Sequence, residues 1–533
     1  MKMTLKLIGA CALVGAFAAT PASAEWANSL GIGQKTSNLG GAGVATASDY
    51  DVFYANPAGA ANMTTTTIGI GVKVLNTTNL DNGEPGFNHG IDETVTGSEH
   101  GYLPSVGAYV PGLLPNVVIG VGFGAPFALA GNWNSDQPNP GNVTTTDSLN
   151  AAVNAATGAG PNGTNSLGFS QVEALVGELS PTIGIKLSDK LNVGVSVGFS
   201  TIKHMLLDIG VAVAAADANA IDGLNPGGAA FGGALPAVST TLRAQTSDDL
   251  GLPIPPWEFA TSPHEASVTI GAQYQLLPNV AVGAVFRSES PTEYDLNLAL
   301  DLGPLGAPIG TAASGIDRST GSIKVEIPRH VQIGATIDVT PELRLHTDVK
   351  WTNWANARGV GSDAIVSINT GGVVLGGLAR QLVLANRGDD TYSLHVGADY
   401  QLLPNLQLQA GYNYDPAVFD KANLSYLMYS SDRHIFSAGA SLQVPDAALL
   451  GSSGEWEFTL GGQFIHYEDI TVQAGESQTF GLTPGALTVG GLLATQTVTF
   501  SPNTEAFEVG GYIWSVGASA VYKFGAPEEV YLK

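Results

Sequence analysis

The chain has 533 residues, with 68 glycines, one cysteine, 44% hydrophobic residues and only 13% charged ones; 21 Lys and Arg stand against 46 Asp and Glu, a net charge of −25. That balance excludes a nucleic-acid binder, which needs a basic face to displace counterions, and the low charge fraction argues against disorder. No run of 18 apolar residues follows residue 24, so helical membrane spans are excluded as well. A large glycine-rich β protein remains, a membrane barrel included.

Residues 1–24 read as an export signal. Lys2 and Lys6 give a positive start, Leu7 to Thr20 an apolar stretch, and Ala22-Ser23-Ala24 a small-residue cleavage site before Glu25. Ile8-Gly9-Ala10-Cys11 resembles a lipoprotein site, but the seven residues before it are too few for both regions of a leader. Cleavage after Ala24 removes the only cysteine, and with it disulfides, thiolate metal sites and thiol catalysis. Export without membrane helices points to the periplasm, the outer membrane or secretion from a Gram-negative-type cell.

Residues 25–63 are not strand-like. They combine Trp26, Phe53 and Tyr54 with little charge and run through Leu39-Gly40-Gly41-Ala42-Gly43 to Asn56-Pro57-Ala58-Gly59. The glycines lack the preceding strand and the paired spacing of a nucleotide loop. This content suits a packed plug better than a floppy linker.

From residue 64 to 524 the pattern is of strands. Apolar alternating runs flank tight turns at Leu113–Asn116, Leu187–Lys190, Leu276–Asn279, Val339–Glu342 and Leu402–Asn405, with a looser one between Pro445 and Gly454. Gln-Leu-Leu-Pro-Asn occurs twice, at Gln275 and Gln401. Long polar segments, 77–100, 126–170, 206–262 and 471–508, lie on the other side, where the Ala-rich pieces 149–156 and 210–221 suggest short helices. Short turns at one end and long loops at the other are the signature of an outer-membrane barrel. Six short turns separate seven hairpins, so the expected fold is all-β: a fourteen-stranded antiparallel transmembrane barrel. From Tyr392, one face reads Tyr392, Leu394, Val396, Ala398, Tyr400, Leu402 and the other Ser393, His395, Gly397, Asp399, Gln401; this is lipid on one side and a polar lumen on the other. In the last strand Tyr512 and Trp514 open the apolar face, and Tyr522 and Phe524 close it. Ten residues span ~33 Å, or ~25 Å when tilted, the height of an outer-membrane apolar band. Residues 525–533 form a tail.

Catalytic motifs are missing. The nine histidines are scattered, and neither H-E-x-x-H nor G-x-S-x-G occurs, so no catalytic residue, metal or cofactor is expected. The densest ionisable face runs from Lys324, Glu326 and His330 to Asp338, then through Arg344, His346, Asp348 and Lys350. Lys324, His330, Arg344 and Lys350 are candidates for a lumen network holding the plug; in a sharper reading, Lys324 or Lys350 meets an anionic head group. Arg329 interrupts the opposite, apolar face and is expected at its edge. In the third strand Gly120, Gly122 and Gly124 share a face and Pro126 follows, which leaves no side-chain wall there and removes a ladder donor.

The run Gly40–Met63 with Asp49, Tyr54 and Asn56-Pro57-Ala58-Gly59 resembles the hatch of the FadL family of outer-membrane transporters, which carry long-chain fatty acids or, in the TodX-like branch, aromatic hydrocarbons. Glu178-Leu179-Ser180-Pro181, Phe286-Arg287-Ser288, Asp348-Val349-Lys350-Trp351-Thr352-Asn353-Trp354 and Gly411-Tyr412-Asn413-Tyr414-Asp415 extend the resemblance to about residue 524. It implies a fourteen-stranded barrel, in agreement with the turn count, plugged by a hatch at 25–63. It implies uptake of hydrophobic molecules by diffusion, long-chain fatty acids foremost, with aromatic hydrocarbons the alternative. It also implies a gate at Asn56, Pro57, Ala58 and Gly59 and a lateral opening at Gly120, Gly122, Gly124 and Pro126. The partners expected are hydrophobic small molecules, outer-membrane lipid and the barrel assembly machinery; the expected state is a monomer. The family's usual terminal aromatic is missing, since Gly525–Lys533 follow Phe524. A general porin, an outer-membrane enzyme and an adhesin are the rivals. Two geometric expectations follow: Asp338 pairs opposite Arg344 on the lumen side, and the Asn56-Pro57 bend, with Gly59 at positive φ, presses on the third strand.

Overall fold

The computed structural model describes residues 31–81, 100–132, 166–213, 238–246, 263–301, 316–359, 361–362, 364–370, 381–384, 387–423, 430–449, 452–473, 476, 478–482, 496–502 and 507–525. The leader, the piece 149–156 and the tail beyond Gly525 lie outside them.

Among the described residues fourteen antiparallel strands close a ring. They are β1 (Thr67–Asp81), β2 (His100–Leu114), β3 (Val117–Asn132), β4 (Ser166–Lys186), β5 (Leu191–Val213), β6 (Ala266–Leu277), β7 (Val280–Arg287), β8 (His330–Asp338), β9 (Leu343–Thr352), β10 (Thr391–Leu403), β11 (Leu406–Asp415), β12 (Arg433–Leu449), β13 (Ser452–Val472) and β14 (Phe507–Phe524). Each pairs with the next, and β14 returns to β1 with Thr67 opposite Lys523 and Gly71 opposite Ser519. Five of the short turns fall where the alternating runs break, and β12 and β13 pair up to Leu449 and Ser452 around the sixth. The repeated Gln-Leu-Leu-Pro-Asn has a local cause: Gln275 Nε2 donates to Leu277 O at 2.6 Å and Gln401 Nε2 to Leu403 O at 2.7 Å, so each glutamine ties down its own turn.

Alternation sorts the two faces. Tyr392, Ile333 and Leu460 are 65%, 59% and 62% exposed on the outside, while Ser393, His395 and Asp399 are buried inside. Tyr512 and Trp514 are exposed at the loop end of β14, as expected. Tyr522 is not: it is fully buried, its ring 4.9 Å from Trp456 and 4.6 Å from Phe524. It fills an aromatic cluster instead of closing an exposed face.

On the side opposite the short turns, further strands extend the wall: Val238–Thr246, Ser290–Asp301, Ile316–Ile327, Ala364–Thr370, Gln381–Leu384, Gln478–Leu482 and Gln496–Pro502. Ser290–Asp301 pairs with Ile316–Ile327 throughout. Gly210–Val213, expected as the start of a helix, is the end of β5, paired with both β4 and Val238–Thr246; partners on both sides satisfy its backbone as a strand.

At Pro328-Arg329 the alternation changes face. Below it His330 and Thr336 are buried, and Ile333 and Ile337 point out; above it Ile323, Val325 and Ile327 are buried, and Lys324 is exposed. Arg329 sits exposed in the break, its Nε donating to Asn353 Oδ1 at 3.0 Å, at the edge as expected.

Because every strand of the ring has two partners, no edge is available for denaturant-assisted unzipping. Purified protein left unboiled in SDS is expected to migrate as a compact band distinct from the boiled 54.6 kDa chain; migration as unfolded protein without boiling contradicts the closed ring.

Candidate functional site

Residues 31–63 lie inside the ring. Helix α1 (Gln34–Asn38) and helix α2 (Val52–Ala55) are single turns, followed by a 3-10 turn, Pro57–Asn62. Such short helices are not stable alone; the wall holds them. Asn56 is extended at φ −168°, as a residue before proline prefers. Its Oδ1 accepts from Ala58 N at 3.1 Å, and its Nδ2 donates to Val44 O at 2.8 Å and to Ala272 O of β6 at 3.2 Å.

The bend does not press on the third strand. Asn56 and Pro57 occupy the space where Gly271 of β6 and Gly194 of β5 lack side chains. The glycine strip of β3 receives other groups: a Cβ on Gly122 would overlap the Phe53 ring, and one on Gly124 would lie 3.0 Å from Ile32. Gly120 makes room for the ring of Tyr109 of β2, and Pro126 lies at the β3–β4 register shift between Gly124 and Phe127. Gly59 is not at positive φ; it is required because a Cβ would strike Ala47 O. The opposite side of the segment makes the same kind of approach: Asn38 fills the space over Gly439 and Gly461, and Leu39 and Gly40 lie on Gly411.

Polar ties complete the seat. Asp348 Oδ2 accepts from Gly43 N and Val44 N, both at 3.0 Å, and from Gln332 Nε2 at 2.8 Å. Gln332 also donates to Gly41 O at 3.0 Å, His395 Nδ1 bonds Gly40 O at 2.7 Å, and Lys73 Nζ donates to Gly31 O at 3.1 Å and Ser37 Oγ at 2.7 Å. Lys35 of α1 pairs with Glu457 of β13 at 3.1 Å, and Lys523 of β14 holds the same carboxylate at 3.0 Å. The segment carries its own acids. Asp51 is 1% exposed, with Oδ2 accepting from Thr36 Oγ1 at 2.5 Å; burial and then the neighbouring Asp49 push it up to about 7. Burial and then Glu457 push Asp49 up to about 6.

Between the segment and the wall lies a cavity of about 60 Å³. Ile32, Val44, Ala47 and Val285 make it apolar; Tyr54, His330, Gln332, Lys350 and His395 bring polar groups. The Arg287 guanidinium lies 5.0 Å from the Tyr54 ring, and the His330 ring is 6.3 Å away. Arg287 is itself paired with Glu178, whose Oε1 accepts from Ser290 Oγ at 2.9 Å. Lys350 feels the charge of Asp415, but that carboxylate is taken by Arg433 and by Ser393 Oγ at 2.6 Å. Among the described residues Lys350 has no direct ion-pair or hydrogen-bond partner.

Two of the four sequence candidates, His330 and Lys350, therefore meet at this cavity. The other two do not. Lys324 stands above the face change, half-exposed, and pairs with Glu293 at 3.1 Å. Arg344 is at the turn end, opposite Asp338 as expected, with Nε to Oδ1 at 2.6 Å. His395, Tyr54 and Arg287 were not singled out for this site. His395 was legible as inward-facing, but its position opposite Asp348 depends on the β9–β10 register. Among the described residues no group of three or more His, Cys, Asp or Glu could hold a metal. The cavity can seat one anionic or hydrogen-bonding head with an apolar stem.

A closed fourteen-strand barrel with an apolar outer face and an occupied, polar lumen defines an outer-membrane channel protein. The family of outer membrane protein transport proteins (OMPP1/FadL/TodX) matches residues 14–450, and the chain belongs to it. The fold is similar to that of a Pseudomonas aeruginosa FadL homologue, with TM-score 0.60 and 15% identity over 95% of this chain and 99% of that one. It is similar to the P. putida toluene transporter TodX, with TM-score 0.55 and 16% identity over 93% and 99%. The Ralstonia pickettii toluene transporter TbuX gives TM-score 0.50 and 15% identity over 93% and 99%. No curated protein matches the chain.

The close approach of segment and wall yields one prediction. Gly122→Val drives an isopropyl group into Phe53; overpacking of this kind costs about 1–3 kcal/mol. Protease cleavage within residues 31–63 should accelerate, while the SDS-resistant barrel survives. The acids yield another. The seated segment raises Asp49 and Asp51 above the ordinary carboxylate value of 3.8, so seating binds protons that a displaced segment releases. That stabilisation is complete below about pH 4 and is lost as pH rises through 6 and 7. A spin label on Ser48→Cys should become more mobile between pH 6 and 8, and Asp51→Asn should flatten the change.

Proposed function

We propose that the protein takes up hydrophobic molecules by diffusion across the outer membrane, and that its main substrates are long-chain fatty acids. Residues 25–63 act as the hatch, exported behind a leader cleaved after Ala24. The observation that carries the substrate reading is Lys350, a cation facing an apolar-walled cavity without a direct partner among the described residues. Lys350 is half-buried, so water solvates its unpaired charge only in part; a carboxylate head group pairs it, and the aliphatic walls accept the start of the chain.

In this reading the Asn56-Pro57-Ala58-Gly59 bend moves off Gly194 and Gly271 when substrate arrives. Withdrawal of Phe53 and Ile32 then uncovers Gly122 and Gly124 beside Pro126, where the wall has no side chains to block sideways exit. Aromatic hydrocarbon uptake is the alternative, supported by the likeness to TodX and TbuX, which are named toluene transporters. A general porin is disfavoured by the presence of residues 31–63 within the ring.

Uptake of labelled hexadecanoate and of labelled toluene into cells separates the readings. Asn56→Ala with Pro57→Ala should lower uptake of the natural substrate at least several-fold, with insertion and SDS resistance kept. Lys350→Met should lower hexadecanoate uptake and spare toluene. Normal uptake of both compounds by the correctly inserted double variant removes the gating role; toluene loss alone favours the alternative.

A further inference from the structure

The cavity's imidazoles add a chemical condition to the head group it accepts, and the inference rests on the carboxylate reading above. His395 is 5% exposed, and its Nδ1 lies 2.7 Å from Gly40 O. A carbonyl oxygen has no proton to give, so Nδ1 carries the hydrogen and donates. The other nitrogen of the neutral ring, Nε2, then bears a bare lone pair. It is buried and among the described residues has no hydrogen-bond partner, and the same holds for His330 Nδ1 across the cavity. A carboxylate cannot pair with a lone pair; lone pair would meet lone pair. A proton has to stand between them.

We propose that this cavity is a proton-linked carboxyl site, in which an acid head group binds together with one proton shared between a carboxyl oxygen and His395 Nε2. The second carboxyl oxygen accepts from the Lys350 ammonium. The balance is simple: a free carboxylate plus one solvent proton gives either a neutral acid donating its O–H to Nε2 or a carboxylate accepting from an imidazolium. No bond other than hydrogen bonds changes. Gly40 lies on the hatch, so the ring that reads the proton also touches the segment expected to move.

The surroundings determine where that proton comes from. The groups facing His395 are Lys350 and Asp348 of β9, His330 of β8, Asp415 of β11, and Tyr54 and Gly40 of the segment. Asp415 is committed to Arg433 and Ser393, and Arg287 behind Tyr54 is committed to Glu178. Asp348 Oδ2 is committed to Gly43 N, Val44 N and Gln332 Nε2 and the other two carboxylates to arginines, so the incoming acid has to arrive with its own proton or draw one from water. A hydrocarbon, an ester or an alcohol brings no such requirement. The site therefore distinguishes carboxylic amphiphiles from other hydrophobes by proton count as well as by charge.

The test is calorimetric titration of octanoate into the full-length protein in a non-ionic detergent, at one pH near neutrality, in two buffers of different ionisation enthalpy. Wild type should take up about one proton per octanoate bound, and affinity should fall about tenfold for each pH unit above neutrality. Methyl octanoate should bind with no proton uptake and no pH dependence. His395→Asn keeps an N–H for Gly40 O but lacks the Nε2 lone pair; it should bind octanoate more weakly and without proton uptake, and bind the ester normally. Octanoate binding without proton uptake in wild type overturns the proposal and leaves the carboxylate reading standing. Proton uptake that survives in folded His395→Asn also overturns it. Binding of the ester but not of octanoate at any pH overturns both.

Discussion

The wall of this barrel and the segment inside it share one surface, and neither is complete alone. Where Gly122, Gly194, Gly271, Gly411 and Gly461 face inward the wall has backbone and no side chains; Phe53, Pro57, Asn56, Leu39 and Asn38 fill those places. Close packing of this kind is sensitive to single methyl groups, because voids and overlaps both cost energy. An alanine on either side would therefore disturb the fit at a distance from any polar contact. The glycines on the inner face are a mould for residues 31–63.

The bonds across that surface differ from those within the wall. The wall is a closed ladder, each strand paired on both sides and interrupted only at local register shifts such as Gly124–Phe127. The segment is held by separate hydrogen bonds to the side chains of Asp348, Gln332, His395, Lys73 and Gln463, plus the Lys35–Glu457 pair. A typical hydrogen bond contributes about 0.5–1.5 kcal/mol net, because water can take either partner's place. Water that reaches the lumen can exchange those ties one at a time, whereas the ladder, facing lipid, has no alternative partner. A rigid wall and a displaceable filling are thus consequences of which solvent each interface meets.

Strand number, turn positions and the two-faced alternation were legible in the sequence, because period two and short turns are local signals. The Asp338–Arg344 register followed from one turn. Contacts that depend on several registers at once were not. Lys324 and Lys350 look equivalent along the chain, yet the face change at Pro328-Arg329 puts one outside the lumen and leaves the other in it. Three alternate glycines make the third strand the conspicuous seat for the hatch bend in sequence; the single glycines Gly194 and Gly271, which receive it, carry no such signal. Tyr54, Arg287 and His395 come from the segment, β7 and β10, and only ring closure and the seating of the segment bring them to one cavity.

The placement of charge at that cavity bears on what passes through. Arg287 and Arg433 are each matched by a buried carboxylate, so the fold can pair a cation where it needs only structure. Among the described residues Lys350 has no such partner, while lying on the same inner face. For a channel selecting hydrocarbons alone this is a cost with no return: the charge weakens the seat and attracts water into an apolar path. For an acid-bearing amphiphile the same charge is the recognition element, neutralised only when cargo is present. In the proposed reading, its position beside Tyr54 and Gly41–Val44 of the segment brings the head group and the segment that is to move to one point. A head group that satisfies Lys350 and His395 changes the electrostatics against which the segment is seated, and the energy of binding is available where the path has to open.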